Sequence, residues 1–192
     1  MKRLLVLSLA ASTLAACAAM PTTAPAGVFE TDAAFSVNLP SDWSHWPAQA
    51  NFTTSGEYLT KDGVLLNRLH FLTIEDGGTI VRAMRNADVP TYDASAGEFE
   101  VIEFITQSLE AIGYNSVEAA EIRPAEIDGV EGLRFEVSGN WENGLNVRGD
   151  IAAVAQEDAL SVIIFMAPEM HYYGALQGEV DTIISSMDLA AG

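Results

Sequence analysis

One cysteine, three histidines and nine basic residues are all that this 192-residue chain offers to several common kinds of chemistry. With Cys17 alone, neither an intramolecular disulfide nor a multi-thiolate metal site can form. His45, His70 and His171 fall in no HExxH, HxH or Cys/His spacing, so each reads as a structural or exposed residue and no metal site is expected. Lys and Arg are outnumbered by 27 acidic residues, for a net charge of −18. Phosphate backbones are repelled by such a chain, and no basic stripe overcomes that repulsion, which excludes nucleic acid as a partner. Long apolar runs are missing too. The run at 4–16 spans 13 mostly apolar residues, short of the roughly 20 that cross a bilayer as a helix. No GxSxG, P-loop or Rossmann glycine pattern occurs, and no nucleophile–base pair is legible, so neither a catalytic set nor a cofactor is expected.

What is present begins at the N-terminus. Lys2 and Arg3 precede an apolar core and then small residues, the three-part layout of a secretory signal. Its end, Leu14-Ala15-Ala16-Cys17, resembles the lipobox of bacterial lipoproteins and departs from that pattern nowhere. The resemblance implies cleavage before Cys17 and acylation of its thiol, including by palmitate. The lipid bilayer is then a partner, held through acylated Cys17. Each buried methylene contributes about 0.8 kcal/mol and one chain alone holds only marginally, so the two or three chains of mature lipoproteins anchor stably. Ala18, where an Asp would retain the protein in the inner membrane, favours the outer membrane. The expected location is therefore the bacterial cell envelope, facing the periplasm. Removing residues 1–16 takes Lys2 and Arg3 with it, leaving seven basic against 27 acidic residues, a net charge of −20. Anionic headgroups repel that surface, so the folded part is expected to stand off the membrane, and the acidity reads as solubility.

The division expected is a signal peptide at 1–16, a lipidated cysteine and flexible tether at 17–27, and a single globular domain at 28–192. "AAMPTTAPAG" is small, polar and proline-bearing, and ten extended residues reach roughly 30 Å. In "FSVNLP" Phe35, Val37 and Leu39 alternate with polar residues, a half-buried strand stopped by Pro40. Strands at 57–60 and 64–74 flank "KDG", where Gly63 takes positive φ. "EDGG" is a turn, and "TIVRAM" reads as either strand or one helical turn. The spacing predicts a helix over 96–112, capped by Ser95 and ended by Gly113, with Val101, Ile102, Ile105, Leu109 and Ile112 on one face. Strands follow at 116–122, 131–138, 145–156 and 160–166. Asn143-Gly144 is the strongest hairpin signal, and the unbroken apolar run at 162–166 marks a central strand covered on both faces. A second amphipathic helix is expected at 172–187.

The order is three strands, a helix, four strands, a helix. "FSVNLPSDW", the hairpin after it and the closing "IISSMDL" resemble the PsbP-like superfamily, which includes a photosystem II extrinsic protein, DcrB-type bacterial lipoproteins and a eukaryotic nuclear-import cofactor. The resemblance spans roughly residues 30–189. It implies an α+β fold, an antiparallel sheet of about six to seven strands flanked by helices in an α/β/α sandwich. It also implies a binding or accessory role rather than an enzymatic one, and carries no site residues.

Contact candidates are aromatic. "DWSHWP" gathers Trp43, His45, Trp46 and Pro47 in a loop after the first strand, and "MHYYG" places Tyr172 and Tyr173 at a helix start. Trp46, His45, Tyr172 and Tyr173 are the residues expected to touch a partner or ligand, with the two pairs lining one groove if the fold brings them together, while Trp43 is either a further contact or, as the resemblance implies, a plug of the core. "EIDGVEG" lacks the further oxygen ligands of a calcium loop and reads as a charged turn. The expected function is a membrane-anchored envelope lipoprotein with a non-enzymatic domain that engages another envelope protein. The alternative is a small-ligand or metal-binding lipoprotein with an aromatic-lined cleft.

Overall fold

Residues 162–166 divide between two cores. Val162, Ile164 and Met166 face one side of the strand, and Ile163 and Phe165 face the other. Side chains alternate across a strand, so an unbroken apolar run is stable only where both faces of a sheet are covered. The computed structural model describes residues 20–51, 53–82, 88–141 and 143–189, and supplies that cover. The strands are β1 (Thr22–Ala24), β2 (Gly27–Glu30), β3 (Ser36–Leu39), β4 (Trp43–Trp46), β5 (Glu57–Thr60), β6 (Arg68–Glu75), β7 (Tyr114–Ile127), β8 (Val130–Trp141), β9 (Asn146–Ala155) and β10 (Ala159–Pro168). Helix α1 (Glu98–Ala111) follows β6, and α2 (Gly174–Ser185) follows β10. Eight strands form one sheet in the order β1-β4-β5-β6-β10-β9-β8-β7, while β2 and β3 pair separately. Every pairing is antiparallel.

Helix α1 buries Val101, Ile102, Phe104, Ile105 and Leu109 on one face of the sheet. Helix α2 buries Leu176, Val180, Ile183 and Ile184 on the other, beside the β2–β3 hairpin. The sandwich is as expected, but the sheet has eight strands and a two-stranded companion where six to seven strands were read. The added strands are short. "DWSHWP" is not a loop: its Trp43–Trp46 is β4, paired on both sides. Trp43 does plug the core, 2 % exposed, with its indole N–H donating to Glu179 of α2 at 2.8 Å. Residues 22–24, within the stretch assigned to the tether, pair with β4 and bury Ala24. A three-residue edge strand needs only backbone groups and one small side chain, which composition does not register.

Other boundaries shift for local reasons. Ser95 does not cap α1, because its amide and hydroxyl both donate to Asp93 (2.8 and 2.7 Å); Gly97 holds the cap position. The predicted strand at 64–74 starts only at Arg68, because the Leu66 and Asn67 amides turn back onto the Gly63 carbonyl. Helix α2 starts two residues late, behind a wide turn at Glu169–Tyr173 in which His171 has φ 78° and ψ −56°. "EIDGVEG" is a two-residue hairpin, Asp128 and Gly129 both at positive φ, which matches the twist of β7 and β8. The long edge strand β7 carries two register shifts and Pro124, features that discourage pairing with another chain. Among the described residues, no helix is long and apolar enough to cross a membrane.

Candidate functional site

At one end of the sheet the turn between β5 and β6, the C-terminus of α1 and the β8–β9 hairpin surround a cavity of about 720 Å³. Gly63, at φ 110°, lets the turn reverse, and the buried Asn67 side chain fastens it by accepting from the Lys61 amide at 2.6 Å and donating to Asp62 at 2.9 Å. Leu65 is thereby held outward, 75 % exposed. Gly113, at φ 108°, ends α1 against the Trp141 ring, and Asn143-Gly144 reverses the chain so that Trp141 and Leu145 flank the opening. Leu66 and Ile112 complete the apolar wall.

The cation in this cleft is Arg68, the first residue of β6. Its Nε donates to the Val64 carbonyl at 2.6 Å. Its guanidinium carbon lies 6.0 Å from the Tyr58 ring and 5.9 Å from the Trp141 ring, within reach of both π faces. Trp141 packs on Tyr114 at 4.2 Å between centroids, and Tyr58 stacks on Trp46 at 5.9 Å and 4°. One cation therefore sits in an aromatic row. Among the described residues Arg68 has no carboxylate partner, whereas Lys61, Arg134 and Arg148 are each ion-paired. Its field is felt by its neighbours. Burial pushes the Tyr114 hydroxyl up to about 12 and raises that of Tyr58, with the charge of Arg68 opposing both. Among the described residues, no histidine, carboxylate or thiol lines the cavity. The arrangement is equipped to bind.

The residues singled out in the sequence do not share this site. Trp46 lies on the α1 side of the sheet, stacked on Tyr58. His45, its neighbour in β4, points to the α2 side. There its Nε2 lies 2.6 Å from Glu57, and its ring meets Phe29 edge-on at 5.4 Å. Tyr173 is buried on that same side, stacked on Phe165 with Arg148 4.7 Å over its ring, and burial raises its hydroxyl to about 12. Tyr172 packs beside it against the α2-side core and His171. The sheet thus separates Trp46 from the tyrosine pair, and the two sets do not form one groove. Cys17 and the signal peptide expected at 1–16 lie outside the described residues. Arg68, Trp141 and Leu65 were missed, although a tryptophan two residues before a strong Asn-Gly hairpin signal marks an aromatic displayed near a tip.

The His45–Glu57 pair fastens the β2–β3 hairpin to the sheet, because Glu57 also accepts from the Asp32 amide. Glu57 is 1 % exposed, and burial raises its carboxyl above the ordinary 4.5 against the opposing pull of that amide and of His45. A carboxyl raised in the folded state favours folding as pH falls toward its folded value, and at neutral pH its buried charge is a cost. Glu57→Gln keeps an acceptor for Asp32 and removes the charge. It is expected to raise the melting temperature at pH 7 by about 2–4 °C, roughly 1 kcal/mol in a domain of this size, with the gain gone near pH 4. A lower melting temperature at pH 7 would show that the His45 contact outweighs the cost of burial.

No protein-family model matches the chain, and no curated protein matches it. Solved structures do. The solution structure of cyanobacterial PsbP (CyanoP) from Synechocystis sp. PCC 6803 superposes with a TM-score of 0.57 at 12 % identity, covering 92 % of this chain and 96 % of that one. A crystal structure from Bacteroides thetaiotaomicron VPI-5482 covers 86 % of this chain and 48 % of its own, at 12 % identity and a TM-score of 0.49. The first likeness is one of fold: an antiparallel sheet with two helices in a PsbP-like arrangement.

Proposed function

We propose that the chain is a membrane-anchored lipoprotein of the bacterial cell envelope whose domain is a non-enzymatic binding or accessory module, and that the cleft around Arg68 and Trp141 is its contact site. The observation that supports this reading is the cleft itself: about 720 Å³ walled by Leu65, Leu66, Ile112 and Leu145, with Arg68 held between aromatic rings. Arginine and tryptophan are the residues most enriched where binding energy concentrates, and the exposed Leu65 and Leu145 form a rim that a protein partner can cover. Anchoring rests on Leu14-Ala15-Ala16-Cys17, and the acidic surface keeps the domain clear of anionic headgroups, with the cleft open to another envelope protein. The second reading, a small-ligand site, is favoured by the cavity volume, which falls in the roughly 300–1,000 Å³ range of small-molecule pockets.

A photo-cross-linker at Leu65 or Leu145, in intact cells, is expected to capture one dominant envelope protein, and the same probe at the exposed Val130, at the opposite end of β8 from Trp141, is not. Equal labelling at all three positions would remove the cleft from the argument. Cys17→Ala is expected to abolish acylation and to move the protein from the membrane pellet to the soluble fraction. Retention of the folded variant in the pellet would overturn the anchor.

A further inference from the structure

We infer that the cavity beside Arg68 holds a small carboxylate amphiphile, its apolar body against Leu65, Leu66, Ile112, Leu145 and Trp141 and its carboxylate on the Arg68 guanidinium. This rests on the cleft being the binding site and does not depend on which protein docks at its rim.

Charge complementarity commits the occupant. The chain carries three acidic residues for each basic one, so carboxylate partners for an arginine are plentiful. Arg134 accordingly takes two, Asp150 at 2.7 Å and Asp181 at 2.6 Å, and Arg148 takes Glu136. Arg68 takes none among the described residues, its one hydrogen bond running from Nε to a backbone carbonyl. That bond and the flanking rings of Tyr58 and Trp141 orient the guanidinium and leave its two terminal nitrogens without an acceptor among the described residues. A fixed fork of N–H donors matches a planar carboxylate in two parallel bonds. An arginine held this way at the edge of an apolar cavity selects a molecule with one anionic end and an apolar remainder. A strongly acidic protein segment is disfavoured by the negative field of the whole chain, whereas a monoanion meets the local cation with little of that repulsion. The adjoining space runs on past Arg68 as a narrow void of about 10 Å³ toward Tyr114, Val147 and Met166, too small to take a second group, so the body must lie on the open leucine side.

The test uses the full chain carrying Cys17→Ala, titrated below the micellar range with sodium dodecanoate and, separately, with dodecyltrimethylammonium, and followed by tryptophan fluorescence. Saturable one-to-one binding of dodecanoate is expected, at least tenfold tighter than the cation, with the signal lost in Trp141→Phe. Arg68→Met is expected to weaken dodecanoate roughly tenfold to a hundredfold, the range for losing hydrogen bonds to a charged group, and not to weaken the cation, whose like-charge repulsion it removes. Should Arg68→Met fail to fold, Leu65→Asp at the exposed rim keeps the core intact and is expected to weaken dodecanoate to a similar degree by like charge. Equal binding of both ions, no saturation, or no loss in either variant would overturn the inference. Absent dodecanoate binding together with a dominant cross-link at Leu65 overturns this inference alone. Absence of both overturns the cleft as the contact site.

Discussion

Replacing Ile183 by aspartate is expected to leave the domain without a cooperative thermal transition. Ile183 sits on α2 with no exposed surface, in the core formed with Phe35, Phe71, Ile163 and Phe165. Among the described residues Lys61 is already engaged with Glu179, Arg134 with Asp150 and Asp181, and Arg148 with Glu136, so none of these offers a carboxylate there a free cation. The side chain must be buried either charged, which is prohibitive, or protonated with unmatched polar atoms, at a cost of about 2–7 kcal/mol. Losing the packed isoleucine adds about 2–5 kcal/mol. The sum reaches the 5–15 kcal/mol by which whole domains are stable. The same position tests the mechanism by degree, since Ile183→Val removes one methyl group and is expected to cost about 0.5–1.5 kcal/mol. Circular dichroism melts of both variants measure the pair. An unchanged melting temperature for the aspartate would mean that α2 does not close the sandwich.

Acid should destabilise the domain through one imidazole. His70 is 3 % exposed in β6, with Tyr58 5.2 Å away across the strand pair and the Thr54 hydroxyl 3.3 Å from Nδ1. Burial, and secondarily the charge of Arg68, lowers its pKa from 6.5 to about 3. The folded state therefore refuses a proton that the unfolded chain accepts below 6.5. Stability tied to this residue is whole at neutral pH and declines as pH falls from 6.5 toward 3, by about 1.4 kcal/mol per pH unit at the limiting slope. At pH 4.5 the loss is on the order of 2–3 kcal/mol. Glu57 and Asp150, both raised mainly by burial, act in the opposite sense, so the slope attributable to His70 is best isolated by difference. His70→Gln retains a polar partner for Thr54 and does not titrate. Urea unfolding at pH 7, 5.5 and 4.5 is expected to show the variant losing less stability on acidification than the parent, by about one proton's worth of slope. Parallel pH profiles would show that His70 takes no part.

Much of the fold was legible because some segments satisfy themselves locally. The apolar stripe of α1, the Asp-Gly and Asn-Gly reversals and the continuous run in β10 announce their structures with no help from distant residues. The failures share a cause. β1, β2 and β4 are three or four residues long, and β1 and β4 pair across about twenty residues of chain, so β4 looked like a loop rich in tryptophan. Ser95 looked like a cap because nothing in the one-dimensional pattern shows that Asp93 has already claimed it. The same limit hid the site. Trp46 and Tyr173 were both plausible contact residues, and only the sheet running between them shows that they face different cores.

The sequence alone determined a basic-headed apolar stretch with a lone thiol behind it, a large negative charge, and two helices with one apolar face each. Those properties follow from composition and period, and any compact arrangement must honour them. Tertiary structure alone decided that Arg68 would stand between Tyr58 and Trp141 with no carboxylate partner among the described residues, while Arg134 and Arg148 found carboxylates, since pairing depends on which strands become neighbours. It likewise decided that Gly149 must stay glycine: a Cβ there would overlap the Phe165 carbonyl and the Met166 sulfur. Both outcomes are set by chains meeting in space after long excursions in sequence, and no local pattern encodes where such meetings occur.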